Sequence, residues 1–187
     1  MNHVTGFKDV SCTVTYLPLR PLEIADAEAV QQRFPRWEIV RFLSKEIPWP
    51  YPADGALAFI RDHALPAMEK ETGWHWPIRP KVESEQLVGI ISLMDKPGNN
   101  RGFWIDPDWQ GQGLMLEASS AVTDFWFETL GRPVLQVPKA VANERSRRIS
   151  ERQTMRIVEM CERDYVSGRF PAEVWEITRE EWRNRPR

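Results

Sequence analysis

The spacing of hydrophobic and polar residues in the first half of the chain predicts one strand, two helices and a proline-rich loop. Residues 13–19 alternate and include β-branched side chains, which favours a strand. Residues 23–34 predict a short helix with Asp26 as its N-cap. Three prolines between positions 48 and 52 disfavour regular structure there, and a longer helix is expected over residues 53–72, ended by Gly73.

The second half of the chain predicts further strands separated by helices. Leu114, Ala118 and Val122 repeat at helical spacing, and "TREEW" matches a capping box of Thr178 with Glu181 that opens a last helix. The expected strands cover residues 74–80, 86–95, 101–106, 132–138, 156–166 and 173–177, and the expected helices cover 113–130 and 143–153. This order predicts an α/β fold with a mixed sheet, in a single domain over residues 1–187.

The composition narrows the class of protein. Hydrophobic residues make up 42% of the 187 residues and charged residues 28%, as in folded globular proteins. A net charge of −2 does not favour nucleic acid as a partner. Cys12 and Cys161 give neither a disulfide framework nor a metal-ligand spacing, so we expect a reducing compartment and no metal. Without a signal pattern or a membrane-length apolar run, we expect a cytoplasmic protein with no membrane partner.

Two glycines separated by one residue stand between a predicted strand and a predicted helix, in "WIDPDWQGQGLMLEA". The N-terminus of a helix carries free N–H groups and partial positive charge, and glycines let the backbone approach a bulky anion. Gly111 and Gly113 therefore suit a pyrophosphate cradle, although a plain strand-to-helix turn has the same pattern. The stretch is neither a P-loop nor a dinucleotide fingerprint, because it lacks the Lys-Ser/Thr pair and the third glycine.

The neighbours of the glycines resemble the acyl-CoA motif of the GNAT superfamily of N-acetyltransferases. Gln110, Gly113 and Met115 stand at the three positions of its Gln/Arg-x-x-Gly-x-Gly/Ala pattern, where Met115 departs from the usual small residue. "GFWIDPDWQGQGLMLEA" is similar to the RimJ/RimL branch, which acetylates the N-termini of ribosomal proteins. "VANERS" resembles the Asn-x-x-Ser of the family, and "ERQTM" its Glu-Lys-x-Gly-Phe/Met with Thr154 in place of glycine.

The resemblance implies a GNAT fold: a central mixed, mostly antiparallel, splayed β-sheet flanked by helices. It also implies acetyl-CoA as co-substrate, with its pyrophosphate on the backbone N–H groups at the helix start and its pantetheine arm along the strand before it. A main-chain N–H near Ile105 would polarise the acetyl carbonyl. The implied acetyl-CoA contacts are Trp104, Ile105, Asp106, Gln110, Gly111, Gln112, Gly113, Leu114, Met115 and Asn143.

The expected function is transfer of acetyl from CoA to a primary amine, a protein N-terminus or a small molecule, directly in a ternary complex. No cysteine stands in a motif that suggests a covalent acyl-enzyme. The alternative is a GNAT-like module that binds acyl-CoA without transferring the acetyl group. Asn100 and Thr154 keep this alternative open, because both depart from the pattern of the family.

Direct transfer requires a group that protonates the leaving thiolate and a base that takes a proton from the amine. Ser146 is the candidate acid through its place in Asn-x-x-Ser, although an ordinary helix serine fits the pattern equally well. Many members of the branch carry a glutamate where this chain has Asn100, which cannot act as a base. His75, Glu162 and Asp164 are the other candidates, and we select Asp164. A packing histidine and solvent-facing carboxylates are the simpler interpretations.

Aromatic and basic residues suggest the remaining parts of a site. Trp104, Trp126 and Trp175 lie in regular elements and are expected in the core. Four aromatic residues crowd the proline-rich segments, where the family builds its acceptor site: Trp49, Tyr51, Trp74 and Trp76. They could equally form the surface of a homodimer. Five arginines are expected mainly on a solvated face, with one or two near the CoA 3′-phosphate: Arg145, Arg147, Arg148, Arg152 and Arg156.

Overall fold

The computed structural model describes residues 19–81 and 86–185. The strand predicted over residues 13–19 lies outside the described residues except for Leu19. The helices are α1 Ala27–Arg33, α2 Trp37–Val40, α3 Gly55–Phe59, α4 Leu65–Glu69, α5 Leu114–Asp124, α6 Glu144–Arg152 and α7 Arg179–Asn184. The strands are β1 Gly73–Ile78, β2 Gly89–Met94, β3 Arg101–Ile105, β4 Val134–Ala140, β5 Arg156–Tyr165 and β6 Gly168–Thr178.

The two long predicted helices each contain a π-helical segment. Ile60–Ala64 joins α3 to α4, and Phe125–Thr129 extends α5. The capping box of Thr178 with Glu181 is present at the start of α7, as predicted. Asp26 stands at the N-cap position of α1 without a side-chain capping bond, because its buried carboxylate is paired with Arg20 and Arg79 at 2.6 Å each.

The strands form two antiparallel sheets of three. One has the order β1-β2-β3 and the other β4-β6-β5. The sheets meet at Asn100, whose N–H donates to the carbonyl of Gln136 and whose Oδ1 accepts from the N–H of Gln136, both at 2.8 Å. Three residues further along both strands, the Lys139 Nζ lies 5.0 Å from the ring centroid of Phe103. The two strands therefore run in the same direction, which gives the mixed and splayed sheet that was predicted.

Helices cover both faces of the sheet β1-β2-β3. Trp74, Trp76 and Ile78 share one face of β1 and pack in the cluster that includes α5 and its extension. On the other face, Ile90 and Trp104 pack against the cluster formed by α1 to α4. This arrangement fixes β3 on both faces and places its end beside the turn that carries the glycine pair.

Candidate active site

A buried carboxylate anchors the turn between β3 and the glycine pair. The side chain of Asp106 is fully buried, accepts hydrogen bonds from Arg33 at 2.7 Å and Arg36 at 3.0 Å, and accepts from the N–H of Asp108 at 3.1 Å. This last bond caps the short 3-10 helix Pro107–Trp109. Asp106 was predicted among the acetyl-CoA contacts, but its side chain presents no surface to a ligand and instead fixes the turn.

The glycine pair lies exposed at the start of α5. Gly111 has φ +82° and Gly113, the N-cap residue, has φ +83°, and a Cβ on either would meet no atom within 4 Å. In the described part of the chain, none of the N–H groups from Gly111 to Met115 donates to a protein acceptor. Five unpaired N–H groups with open space before them fit the pyrophosphate of CoA. The backbone N–H of Gln110, which was also predicted to contact acetyl-CoA, donates instead to the carbonyl of Pro107 at 3.2 Å.

Gln110 connects three elements of the site. Its Nε2 donates to the carbonyl of Ile105, the last residue of β3, at 3.3 Å. Its Oε1 accepts from Arg145 in the first turn of α6. This side chain therefore places the glycine turn across from the start of α6, next to the end of β3.

The backbone of β3 leaves hydrogen-bonding groups on the side of β4. Met94 donates to the carbonyl of Asn100 and Asp106 donates to the carbonyl of Val88, so even-numbered residues of β3 bond to β2. Because the direction alternates along a strand, the N–H groups of Phe103 and Ile105 point toward β4. Within the described ranges, neither of these N–H groups donates to another backbone carbonyl across that gap. This is the geometry that the predicted carbonyl-polarising N–H of Ile105 requires.

Asn143 and Ser146 begin α6. Asn143 is its N-cap and accepts from the N–H of Ser146 at 3.3 Å. The hydroxyl oxygen of the half-buried Ser146 accepts from Lys139 Nζ at 2.7 Å. Ser146 is thus joined to β4 by a side chain that also lies over Phe103 of β3.

Two buried basic side chains lie at this junction. Lys139 is 4% exposed and Arg101 is 2% exposed. Burial, together with the charge of Arg101, holds the pKa of Lys139 well below its ordinary value. Burial also lowers the pKa of Arg101 to about 10, while its guanidinium donates to Thr123 Oγ1 at 2.7 Å. Sequence reasoning missed both residues, although the alternation of Leu135, Val137 and Lys139 places that lysine on the core face.

The candidate bases are not brought to this junction. Asp164 contacts Lys45 at 2.6 Å and lies near Arg169, and the hydrogen bond and charge of Lys45 lower its pKa, which disfavours the predicted role as a base. Glu162 shares the partner Arg169, so both carboxylates lie on one face of β5, as predicted. His75 is a packing histidine: it is hydrogen-bonded to Ser92 Oγ at 2.7 Å, and burial lowers its pKa to about 4.

The four predicted acceptor-site aromatics separate into two pairs. Trp74 and Trp76 are buried at 5% and 0% exposure against Phe125, so the prediction that they bind substrate is wrong. Trp49 remains 42% exposed and packs against the exposed Trp37, with ring centroids 5.6 Å apart. Tyr51 packs edge-on against Phe34, which also contacts Trp104.

The arginines of α6 differ in their partners. Arg147 is paired with the buried Glu173 at 2.8 Å, Arg148 with Glu144, and Arg156 of β5 with Glu176 and Glu181. Within the described ranges, Arg145 and Arg152 have no carboxylate within 4.0 Å. Arg145 contacts Gln110 instead, which leaves its charge next to the glycine turn.

A split pair of antiparallel sheets with unpaired amides at the end of β3 is the arrangement expected of a GNAT fold. Residues 17–156 match the family model of the acetyltransferase (GNAT) domain, and the chain belongs to this family. A candidate ribosomal N-acetyltransferase of Bacillus subtilis, YdaF, is 34% identical over 70 residues. That alignment spans 35% of this chain and 38% of the relative.

Solved structures agree on the fold. The ribosomal-protein alpha-N-acetyltransferase RimL in complex with coenzyme A has a TM-score of 0.77 at 14% identity, over 92% of this chain and 98% of that one. A ribosomal-protein-alanine acetyltransferase from Vibrio fischeri has a TM-score of 0.75 at 14% identity, over 93% and 100%. A spermidine N-acetyltransferase from Vibrio cholerae, solved with CoA and spermine, has a TM-score of 0.72 at 16% identity, over 89% and 97%.

None of the helices within residues 19–81 and 86–185 is long and apolar enough to cross a membrane. In the same ranges, no three His, Cys, Asp or Glu side chains are grouped so that they could hold a metal ion.

Proposed function

We propose that this protein is an acetyl-CoA-dependent N-acetyltransferase that acetylates a primary amine by direct transfer in a ternary complex. The observation that carries the proposal is the row of unpaired N–H groups from Gly111 to Met115, next to the gap between β3 and β4. Acetyl-CoA would supply an acetyl thioester, whose carbonyl carbon is open to attack by a neutral amine. Asn143 and the backbone of β3 are proposed to hold its pantetheine arm.

The chain's own groups support the remaining requirements of the reaction. The N–H of Ile105 points into the gap and can donate to an oxygen that gains negative charge. The hydroxyl of Ser146 stands on the other side of the gap and can give a proton to a departing sulfur. Arg145 supplies positive charge near the phosphates.

The environment of the candidate bases favours an α-amine as acceptor. An α-amine with a pKa near 8 has roughly a quarter of its molecules neutral at pH 7.5, whereas a lysine side chain has about a thousandth. Asn100 is not a base, Asp164 is held by Lys45, and His75 is buried. An acceptor that needs little help with deprotonation suits this site, and a protein N-terminus is such an acceptor. The ribosomal-protein acetyltransferases among the similar proteins support the same choice.

Acceptor-dependent release of CoA tests the proposal. The protein is incubated with acetyl-CoA and a panel of peptides with free N-termini, polyamines and amino acids, and the free thiol is measured. Release above the hydrolysis rate, with acetylated product in the mass spectrum, supports the proposal. Tight acetyl-CoA binding without turnover on any amine would refute it and identify a binding module.

The location of the acceptor is a second part of the proposal. Trp49 and Tyr51, with Trp37 beside them, present aromatic surface that could hold the apolar neighbour of an amine. Trp49→Ala should raise the KM for the acceptor several-fold and leave the Kd for acetyl-CoA unchanged. An unchanged acceptor KM would remove this surface from the acceptor site. A homodimer across it is the other use of these rings, and sedimentation would detect it.

A further inference from the structure

Lys139 is a buried lysine without a counter-ion among the described residues. It is 4% exposed, and no described carboxylate lies within 4.0 Å of its Nζ. Lysine is rarely buried to this extent unless it is paired, since removing its charge from water is costly. A lysine in this state needs a role that a leucine or a methionine could not fill.

The position of Lys139 is set by contacts to both sides of the gap between the sheets. Its Nζ lies 5.0 Å from the ring centroid of Phe103 on β3 and 2.7 Å from Ser146 Oγ on α6. An ammonium group has no lone pair, so in its charged form Lys139 donates and the serine oxygen accepts. The hydroxyl hydrogen of Ser146 is then free to point toward another acceptor.

The charges around Lys139 favour loss of its proton. Arg101 on β3 faces it with the same sign of charge. Glu173 stands opposite Lys139 on β6, but its carboxylate binds Arg147 of α6 and the indole N–H of Trp175. Burial and Arg101 together hold the pKa of Lys139 well below its ordinary value.

We propose that Lys139 is a positioning residue for Ser146: it orients the hydroxyl and returns the proton that Ser146 gives to the leaving sulfur. This inference rests on the proposed acetyltransferase function. In the step, the bond from the acetyl carbon to the amine nitrogen forms and the bond to sulfur breaks. The sulfur takes the Ser146 proton, and the serine oxygen takes one from the Lys139 ammonium. The acceptor nitrogen loses its proton to solvent. The neutral amine of Lys139 then takes a proton back from solvent.

The lowered pKa of Lys139 makes this relay less unfavourable. A lysine in water has a pKa near 10.4 and a thiol near 8.5, so proton transfer from an ordinary lysine to the leaving thiolate would be unfavourable by about a hundredfold. Burial and Arg101 reduce this difference. A serine without a neighbouring ammonium group would have to take its replacement proton from water.

Activity of Lys139→Met tests the proposal, with Lys70→Met as the control because Lys70 is exposed and distant in sequence from the gap. Methionine keeps most of the buried volume of the lysine. At pH values below the Lys139 pKa, kcat should fall about ten- to a hundredfold in Lys139→Met and stay unchanged in Lys70→Met. The ratio of wild-type to variant kcat should shrink toward one as pH rises through that pKa, because the wild-type lysine loses its proton. A ratio that is constant with pH would show a merely structural role and overturn the proposal.

A titration without acetyl-CoA provides a second readout. The ¹³Cε and ¹⁵Nζ resonances of Lys139 in the wild-type protein should titrate well below pH 10.4, and Ser146→Ala should shift them. Titration at the ordinary value would overturn the proposal even if Lys139→Met failed to fold. If wild-type protein transferred acetyl to no amine, the proposed function itself would be refuted, a result that is distinct from an active enzyme with a constant ratio.

Discussion

Gly113→Ala separates the backbone cost of a side chain in the glycine turn from its effect on acetyl-CoA. Gly113 has φ +83° and no atom within 4 Å of an added Cβ, so alanine would clash with nothing in the protein. The cost is conformational: a left-handed L-residue costs about 1–2 kcal/mol, partly offset by the lower entropy of the unfolded chain, which leaves about 1 kcal/mol. A valine at this position would add strain from its β-branched side chain, so the Gly113→Val protein would lose more unfolding free energy. Alanine is therefore the cleaner probe.

The matched control is Gly98→Ala. Gly98 has φ +71° and equally open surroundings, but it lies in the turn before β3, at the opposite end of that strand from the glycine pair. Both variants should lose about 1 kcal/mol of unfolding free energy in urea. Only Gly113→Ala should weaken acetyl-CoA binding in calorimetry, by about tenfold or more, since its methyl group stands where the pyrophosphate approaches the N–H groups. Equal dissociation constants for the two variants would refute the role of the glycine pair.

Three further predictions concern Ser146, Thr154 and His75. Ser146→Ala should lower kcat by tens- to thousands-fold with little change in the Kd for acetyl-CoA, and a wild-type kcat at every pH would remove Ser146 from the mechanism. Thr154 has φ +57°, so Thr154→Gly should raise the unfolding free energy by about 0.5–1 kcal/mol in denaturant, whereas Thr154→Ala, which keeps the strained backbone, should bring no such gain. The pKa of His75 falls from 6.5 to about 4 on folding, so the native state binds fewer protons and should lose up to about 3 kcal/mol as pH falls from 6.5 to 4. His75→Gln should flatten this loss and the exposed control His63→Gln should not; parallel curves for all three proteins would contradict the assignment.

Local signals in the sequence were sufficient for the main elements and for the glycine turn. The capping box at Thr178, the helical spacing from Leu114 and the strand before Asp106 each depend on neighbouring residues, and each is present in the structure. The backbone at Thr154 has the left-handed φ that glycine favours, which accounts for the glycine of the family pattern and makes Thr154 a strained exception to it.

The errors concern which way a side chain faces. Trp74 and Trp76 lie close to Pro77 in the sequence, but β1 pairs with β2 so that both rings face the core and pack against Phe125. Asp106 was assigned to the ligand, but two arginines that precede it by some seventy residues bury its carboxylate. Lys139 was overlooked because its partners, Ser146 and Phe103, are distant from each other in the sequence and meet only at the junction of the two sheets. Contacts between segments that are distant in the sequence decide which way these side chains face, and local periodicity carries no information about such contacts.

The central claim is that the free N–H groups at the start of α5 hold the pyrophosphate of acetyl-CoA. Backbone ¹H–¹⁵N spectra recorded with CoA and, separately, with pantetheine test it directly, since pantetheine lacks the pyrophosphate. CoA should shift the resonances of residues 111–115 more than those of residues 95–100 in the turn before β3, and pantetheine should leave the former nearly unchanged. Saturation with CoA that leaves the amides of Gly111 and Gly113 unshifted would contradict the account.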